Sequence, residues 1–462
     1  MPAEAGAVLD LRTPQRIHIV GIGGAGMSAI ALVLRAMGHT VSGSDLRESP
    51  VAVRLRAQGI DVAVGHRAEN VGPVDAVTFS PAVAPSNPEI TAAAAHGARV
   101  IARSGVLAAI CATRRCLAVA GTKGKTTTAS MLSLILIEAG LRPSFVIGAD
   151  VNEVGSNAVW DTGDWLVVEA DESFGTFQEL RPDWTVLTNV ESDHLDHYGT
   201  FANLRLAFDA FVAQATEGAV VSADDLEAYA IGLAHGARSV GTAPGATFVM
   251  RDVELARSSV SFTLHGPDGE LGPVTLGVPG LHNARNAALA LVAALQVGAP
   301  FAAAQSALAR FAGVSRRFEF RGEANGVTFV DDYAHLPFAV EAALATARTG
   351  GWSRVVAVFQ PHRYTRTAEL SQQFGAAFTD ADALVVTDVY SAGEAPVPGV
   401  SGRLVADAVR ARDPRLPVTY APSWEELRRV VASMLRPGDL CLTLGAGDLT
   451  ALPDELLDSP EW

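Results

Sequence analysis

Leu117-Ala118-Val119-Ala120-Gly121-Thr122-Lys123-Gly124-Lys125-Thr126-Thr127-Thr128 runs from a short apolar stretch through a glycine loop into the opening of a helix. A strand that turns through Gly-x-x-Gly-Lys-Thr into a helix is built to cradle phosphate. The glycines let backbone N–H groups approach the oxygens, the helix N-terminus adds positive potential, and the lysine neutralises charge. Lysine and arginine together number 35, and only Lys123 and Lys125 are lysine, so 33 are arginine. A chain that keeps its only lysines in this loop needs a compact ammonium there rather than a planar fork. Gly121, Thr122, Lys123, Gly124, Lys125, Thr126 and Thr127 are therefore the nucleotide-binding candidates, although the loop is shorter than the usual Walker spacing. The Thr126 hydroxyl is a candidate Mg²⁺ ligand.

Strand-like runs alternate with helical patterns along the whole chain, which predicts an α/β protein with mainly parallel sheets. Ile17–Val20, Val41–Asp45, Ala76–Phe79, Trp165–Val168, Thr185–Thr188, Val327–Val330, Val355–Phe359, Ala383–Thr387 and Leu440–Leu444 read as strands. The spacing predicts helices with Met27, Ile30, Ala31 and Leu34 on one face, over Ala129–Ala139, and over Ala284–Gln296; residues 240–280 read as β-rich. Breaks are expected near 106 and Gly313, consistent with a length that exceeds one ordinary core.

Two strand ends carry clustered polar groups: Glu169-Ala-Asp171-Glu172-Ser173 and Asn189-Val-Glu191-Ser-Asp193-His194. Either cluster alone fits a solvated loop. Both follow apolar strands beside the lysine loop, and open parallel sheets bind ligands at the carboxyl ends of their strands. Carboxylates and one imidazole from these two ends are chemically reasonable partners for a phosphate-bound Mg²⁺. Gly21-Ile22-Gly23-Gly24-Ala25-Gly26 fits GxGxxG, with Asp45 about twenty residues on, the fingerprint of a diphosphate-binding Rossmann unit. By itself it supports a nicotinamide dehydrogenase, yet the same geometry holds the diphosphate of a UDP-sugar. Near the C-terminus, Arg363 and Arg366 face one carboxylate if their segment is helical; surface arginines on a loop are the equal alternative.

The composition is that of a globular chain, 49% hydrophobic and 18% charged. A net charge of −15 argues against nucleic acid as a partner. Cys111, Cys116 and Cys441 form no CxxC motif and suit buried thiols in a reducing compartment. Without a signal pattern or a membrane-length apolar run, the expectation is cytoplasmic, with no membrane insertion and a monomer or weak homodimer.

Taken in order, several segments resemble the Mur ligase family nearly end to end, and most of all its alanine-adding branch. They are Val20–Ser28, Gly121–Thr128, Glu169–Ser173, Asp193–Asp196, His282–Asn286, Arg316–Glu319, Asp331–His335, Phe359–Thr367 and Asp388–Glu394. The resemblance implies three domains: 1–106 Rossmann-like for the UDP-sugar, a central P-loop ATPase over 107–314, and 315–462, Rossmann-like, for the amino acid. It implies ATP-dependent ligation of L-alanine to the lactyl carboxylate of UDP-N-acetylmuramate through an acyl phosphate, in peptidoglycan precursor synthesis, with ATP and Mg²⁺. Lys125, Glu169, His194 and His335 would be catalytic, with Lys125 on the β,γ-phosphates, Thr126, Glu169 and His194 around Mg²⁺, and His335 receiving the amine's proton. Asn283 and Asn286 would meet adenine, Arg317 the phosphates and Asp332 the ribose. Gly21, Gly23, Gly24, Ala25, Gly26, Met27, Ser28 and Asp45 would take the UDP-sugar; Tyr333, His335, Arg363 and Arg366 would handle the alanine.

The sequence departs from the family pattern at three places. Lys123 stands where a histidine is common, Leu336 where a second histidine is usual, and Phe174 where a small acidic residue is frequent, which alters the mouth of the site. A murein-recycling ligase that attaches a preformed peptide to the same UDP-sugar is the nearest rival. A dehydrogenase and a catalytically silent nucleotide-binding protein are the alternatives of other classes.

Overall fold

The structure, a computed structural model, describes residues 9–80, 83–256 and 258–459, without the side chains of Phe174 and Asp196. The expectation for Phe174 therefore lies outside the described residues. Two compact units emerge. The first is Met1–Glu254 with Ser261–Gly277 and His282–Ala312; the second is Gly313–Trp462 with two short stretches, 255–260 and 278–281.

The first unit opens with β1 (Arg16–Val20), β2 (Thr40–Asp45), β3 (Asp61–Val64), β4 (Ala76–Phe79) and β5 (Arg99–Ala102). They form a five-stranded sheet in the order β3-β2-β1-β4-β5, parallel at every pairing. The helix Ala25–Ala36 follows β1 and buries Met27, Ile30, Ala31, Val33 and Leu34, the face its spacing predicted. Parallel strands buried on both faces read as continuous apolar runs, and β1 buries four of its five residues.

A second sheet begins with β6 (Arg115–Ala120), β7 (Ser144–Val151), β8 (Ser156–Val159), β9 (Trp165–Glu169) and β10 (Trp184–Leu187). It continues through β11 (Gly218–Ser222), β12 (Arg238–Gly241), β13 (Phe248–Leu255), β14 (Val260–Gly266) and β15 (Gly269–Leu276). Its order is β15-β14-β13-β12-β11-β10-β6-β9-β7-β8. β6 sits between β10 and β9, parallel to both, so the loops leaving these three strands share one edge. The helix after β6 spans Lys125–Glu138, four residues earlier than its apolar pattern indicated. Gly124, at φ +80°, turns the chain directly into the helix and supplies no side-chain cap. The first N–H groups of the helix are therefore left to other partners.

The break expected near 106 is helical: Arg103–Cys111 runs through it. One apolar core joins both sheets, holding Ile19, Leu34 and Ile110 together with Ala118, Val168 and Phe208. The thiols of Cys111, Cys116 and Cys441 are free and buried.

The second unit carries β16 (Glu319–Ala324), β17 (Val327–Asp332), β18 (Arg354–Phe359), β19 (Ala383–Val386), β20 (Val418–Tyr420) and β21 (Asp439–Leu444). The order is β16-β17-β21-β18-β19-β20, with only the β16–β17 pair antiparallel. No helix among the described residues is long and apolar enough to cross a membrane.

Candidate functional site

The glycine loop after β6 is laced to the chain leaving β10. The Thr122 N–H donates to the Asn189 carbonyl at 3.1 Å and the Lys123 N–H to Asn189 Oδ1 at 2.9 Å. Asn189 Nδ2 returns a bond to the Lys123 carbonyl at 2.9 Å, and Thr188 Oγ1 donates to the same carbonyl at 2.5 Å. The approach is too close for any other residue at two positions. A Cβ on Gly121, at φ +132°, would lie 2.0 Å from Thr188 Oγ1; one on Gly124 would lie 2.6 Å from Asn286 Oδ1. Asn286 therefore packs on the loop itself, and both Asn283 and Asn286 are buried in the helix Leu281–Gln296.

The two lysines part company here. Lys123 Nζ pairs with the Glu191 carboxylate at the rim. Lys125 Nζ turns inward, donating to the Gly121 carbonyl at 2.7 Å, the Thr122 carbonyl at 3.2 Å and the Glu172 carboxylate at 2.8 and 3.0 Å. Burial works against the Lys125 charge, but Glu172, Glu169 and Asp171 outweigh it and raise its pKa. Glu172 itself is pushed up by burial, with Lys125 opposing. The ammonium is thus held charged, its donors committed to two loop carbonyls and to Glu172.

Beside it, Thr126 Oγ1 donates to Glu169 Oε1 at 2.9 Å, and the Gly148 N–H donates to Glu169 Oε2 at 2.7 Å. These are two adjacent oxygen donors at the ends of β6 and β9, the hard ligands Mg²⁺ takes. His194, at φ +51°, has its Nε2 3.2 Å from Ser173 Oγ and 4.0 Å from Oε1 of Glu172, the carboxylate that holds Lys125. Among the described residues no three His, Cys, Asp or Glu side chains converge as a ready metal cluster.

The first glycine loop rests on the end of β2. The Gly21 and Ile22 N–H groups both donate to the Ser44 carbonyl, at 2.8 and 3.0 Å, and the Gly23 N–H to Asp45 Oδ2 at 2.8 Å. One oxygen of Asp45 is therefore spent on shaping the loop. Met27 and Ser28 are buried, and the Ser28 hydroxyl donates to the Ala25 carbonyl at 3.0 Å. Their side chains are thus turned into the fold, which leaves the backbone of this helix opening as what they can offer a ligand. Gly24, Ala25 and Gly26 form the helix opening, and Asn157 Nδ2 from β8 reaches the Ala25 carbonyl at 3.0 Å.

Beneath the loop lies a buried polar cluster that sequence reading passed over. Glu89 accepts from His18 Nε2 at 3.2 Å, the Ser44 hydroxyl, Asn70 Nδ2 at 2.5 Å and the Arg67 N–H at 3.0 Å. Burial alone would raise its pKa; these donors reverse that and bring it down to about 2.

In the second unit the Asp332 carboxylate accepts from the Phe318 and Ala334 N–H groups, both at 2.8 Å, while burial pushes its pKa up. The guanidinium carbons of Arg316 and Arg317 stand 5.0 and 5.3 Å from the Tyr333 ring centre. His335 Nδ1 lies 2.9 Å from the Tyr333 carbonyl. A carbonyl only accepts, so Nδ1 carries the proton and Nε2 the lone pair. Burial holds the His335 pKa down to about 3, with Arg366, His362 and Arg317 adding to the effect.

His362, a residue the sequence offered only inside Phe359-Gln-Pro-His, has its ring centre 5.4 Å from that of His335 and stacks on Tyr390 at 5.7 Å. It also touches Arg366 Nη1, 3.3 Å from its Nδ1. Arg363 is not helical. At φ +70° and ψ +138° it precedes the helix Tyr364–Leu370, so Arg363 and Arg366 do not share a helical face.

Comparison with known proteins follows the same segments. The Mur ligase family catalytic domain matches residues 16–115, the Mur ligase middle domain 119–294, and the Mur ligase glutamate ligase domain 316–447. A UDP-N-acetylmuramate–L-alanine ligase of Saccharopolyspora erythraea is 46% identical over 97% of this chain and 94% of that protein. One from Anaeromyxobacter dehalogenans is 45% identical over 96% and 97%. Among solved structures, the UDP-N-acetylmuramate-alanine ligase MurC of Thermotoga maritima superposes with TM-score 0.83 at 29% identity, covering 96% of this chain and 98% of that one. A murein peptide ligase of Psychrobacter arcticus gives TM-score 0.71 at 25% identity, covering 97% and 99%.

Proposed function

This chain belongs to the Mur ligase family, and on that premise we propose that it joins L-alanine to the lactyl carboxylate of UDP-N-acetylmuramate at the expense of ATP. The observation that carries this reading is the meeting of Lys125, Thr126 and Glu169 where β6 and β9 end. Among solved structures the alanine ligase superposes better than the murein peptide ligase, TM-score 0.83 at 29% identity against 0.71 at 25%, which favours a single amino acid over a preformed peptide. A nicotinamide dehydrogenase would leave the lysine loop without a task.

A carboxylate is a poor electrophile, so the lactyl oxygen first attacks the γ-phosphate of ATP, giving an acyl phosphate and ADP. Two anions must approach each other. Lys125 and the loop N–H groups screen them, since phosphoryl transfer depends chiefly on positioning and charge stabilisation. Thr126 and Glu169 would hold Mg²⁺, which supplies further charge neutralisation at the phosphates. The alanine amine then attacks the acyl carbon and phosphate leaves, forming the amide; the proton lost from nitrogen goes to the departing phosphate.

We assign Arg317 and Asp332 to the nucleotide, and Tyr333, Arg363 and Arg366 to the alanine carboxylate end. The low basicity of His335 makes it a neutral contact through Nε2 rather than the acceptor of the amine's proton. His194, which stands beside Ser173 and Glu172, is the imidazole that would join Thr126 and Glu169 around the metal. Within this reading the chain divides as 1–106, 107–314 and 315–462, with the helix Arg103–Cys111 running across the first division. ADP release measured with each substrate omitted in turn, across a panel of amino acids, tests the reading. Release that needs both UDP-N-acetylmuramate and L-alanine supports it; release driven by a tripeptide and not by alanine overturns it.

A further inference from the structure

A cavity of about 210 Å³ opens between the first glycine loop and the carboxylates after β9. Gly26 and Arg103 form one polar wall; Gly148, Glu169 and Asp171 form another, with Ile30, Leu107 and Val146 as the apolar floor. Whole-ligand pockets usually run to roughly 300–1,000 Å³. This one suits a single ring-sized group set between two charged ends.

Arg103 opens the helix Arg103–Cys111 directly after β5. Its guanidinium carbon and Nη1 lie 3.1 Å from the point where a Cβ on Gly26 would sit. Gly26 is in the ordinary helical region, so a side chain there would be limited by its press on this guanidinium rather than by backbone conformation. Arg103 forms no hydrogen bond or ion pair with the described residues, although its side chain offers five donors. A half-buried guanidinium held over a helix opening and facing a polar cavity, close enough to Asp171 to help hold that carboxyl's pKa down but in no ion pair with it, has donors left for an external anion.

We propose that Arg103 is a substrate-positioning residue that grips the sugar-bearing phosphate of the UDP-sugar, and so aims the sugar ring across the cavity toward Glu169. The proposal rests on the reading of Gly21–Ser28 as the diphosphate loop. Arginine suits the task because its planar fork meets two phosphate oxygens at once. The lactyl carboxylate belongs at the opposite wall, where Glu169 and the lysine loop gather the reacting phosphate.

Calorimetric titration with UDP, run on the full chain and on Arg103→Ala and Arg103→Lys, tests this. MgATP titrated in parallel reports whether each variant is folded. The expected result is a UDP Kd raised roughly tenfold or more in Arg103→Ala, with Arg103→Lys between and the ATP Kd unchanged. In turnover, KM for UDP-N-acetylmuramate rises while KM for ATP does not. UDP bound equally well by Arg103→Ala and the unmodified chain overturns the proposal, as does a raised KM for UDP-N-acetylmuramate with unchanged UDP affinity, which would put the grip on the lactyl group. If Arg103→Ala loses ATP binding as well, a folded Arg103→Lys with unaltered UDP affinity overturns it. Failure of UDP to bind the unmodified chain would instead remove the diphosphate-loop reading beneath it.

Discussion

Lys125 and Glu172 form a buried ion pair inside the phosphate loop, Nζ lying 2.8 Å from one carboxylate oxygen with the Glu172 side chain only 1% exposed. The ammonium that must screen a triphosphate is already occupied by a carboxylate. Removing one partner of a buried pair leaves an uncompensated charge, which costs about 3–5 kcal/mol. Glu172→Ala should therefore lose that much in denaturant unfolding, and recover part of it with saturating ATP. A loss under about 1 kcal/mol would mean the pair does not form in solution. Lys125→Arg keeps the charge but misplaces it, and turnover should fall by about a hundredfold.

Lys123 stands at the rim, where its pair with Glu191 leaves the two side chains 31% and 44% exposed. Exposed pairs contribute no more than about 1 kcal/mol and weaken with salt. Lys123→His should thus change stability by less than that, and the KM for ATP by less than about fivefold, the equivalent in binding. A much larger rise in KM would show that this ammonium reaches the phosphates.

Gly121→Ala tests the lacing of the loop. At φ +132°, a Cβ would meet Thr188 Oγ1 at 2.0 Å, and the nearby backbone of Asn189 cannot swing aside as a side chain would. ATP binding should be abolished in a chain whose circular dichroism remains native. Retained affinity would show that the loop shifts freely.

The pH dependence follows from His335. Its folded pKa of about 3, held down by burial, lies below the ordinary imidazole value of 6.5, so folding favours the neutral ring. That stability is complete above pH 6.5 and is lost as pH falls toward 3, because the unfolded chain then binds the extra proton. His335→Asn should therefore reduce the acid sensitivity of unfolding between pH 6 and 4. It should also leave the shape of the rate profile above pH 6 unaltered. Disappearance of an inflection near neutrality in the variant would restore His335 as a proton acceptor.

The architecture was legible wherever a strand was an unbroken apolar run. β1, β6, β9, β18 and β21 are buried along nearly their whole length, and each was found from sequence to within two residues. β5, with no fully buried residue, and the three-residue β20 offer no such run. The site was legible as motif and not as wiring. Glu-Ala-Asp-Glu announces carboxylates, but nothing local distinguishes Glu169, bonded to Thr126, from Glu172, bonded to a lysine 47 positions away. Arg363 shows the same limit: helical spacing to Arg366 is visible, whereas its φ of +70° is set by contacts with Tyr390 and Thr367.

The helix Arg103–Cys111 supplies side chains to a core shared by the first two sheets, with Ile110 packed in one cluster with Leu34 and Val168. A polypeptide ended at residue 106 would cut that helix within its first turn and strip Leu107, Ile110 and Cys111 from the apolar surface they cover. Neither sheet is then an interchangeable module. Swapping the first sheet for that of another nucleotide-sugar enzyme would require grafting the helix, and the face of the second sheet beneath it, along with the strands.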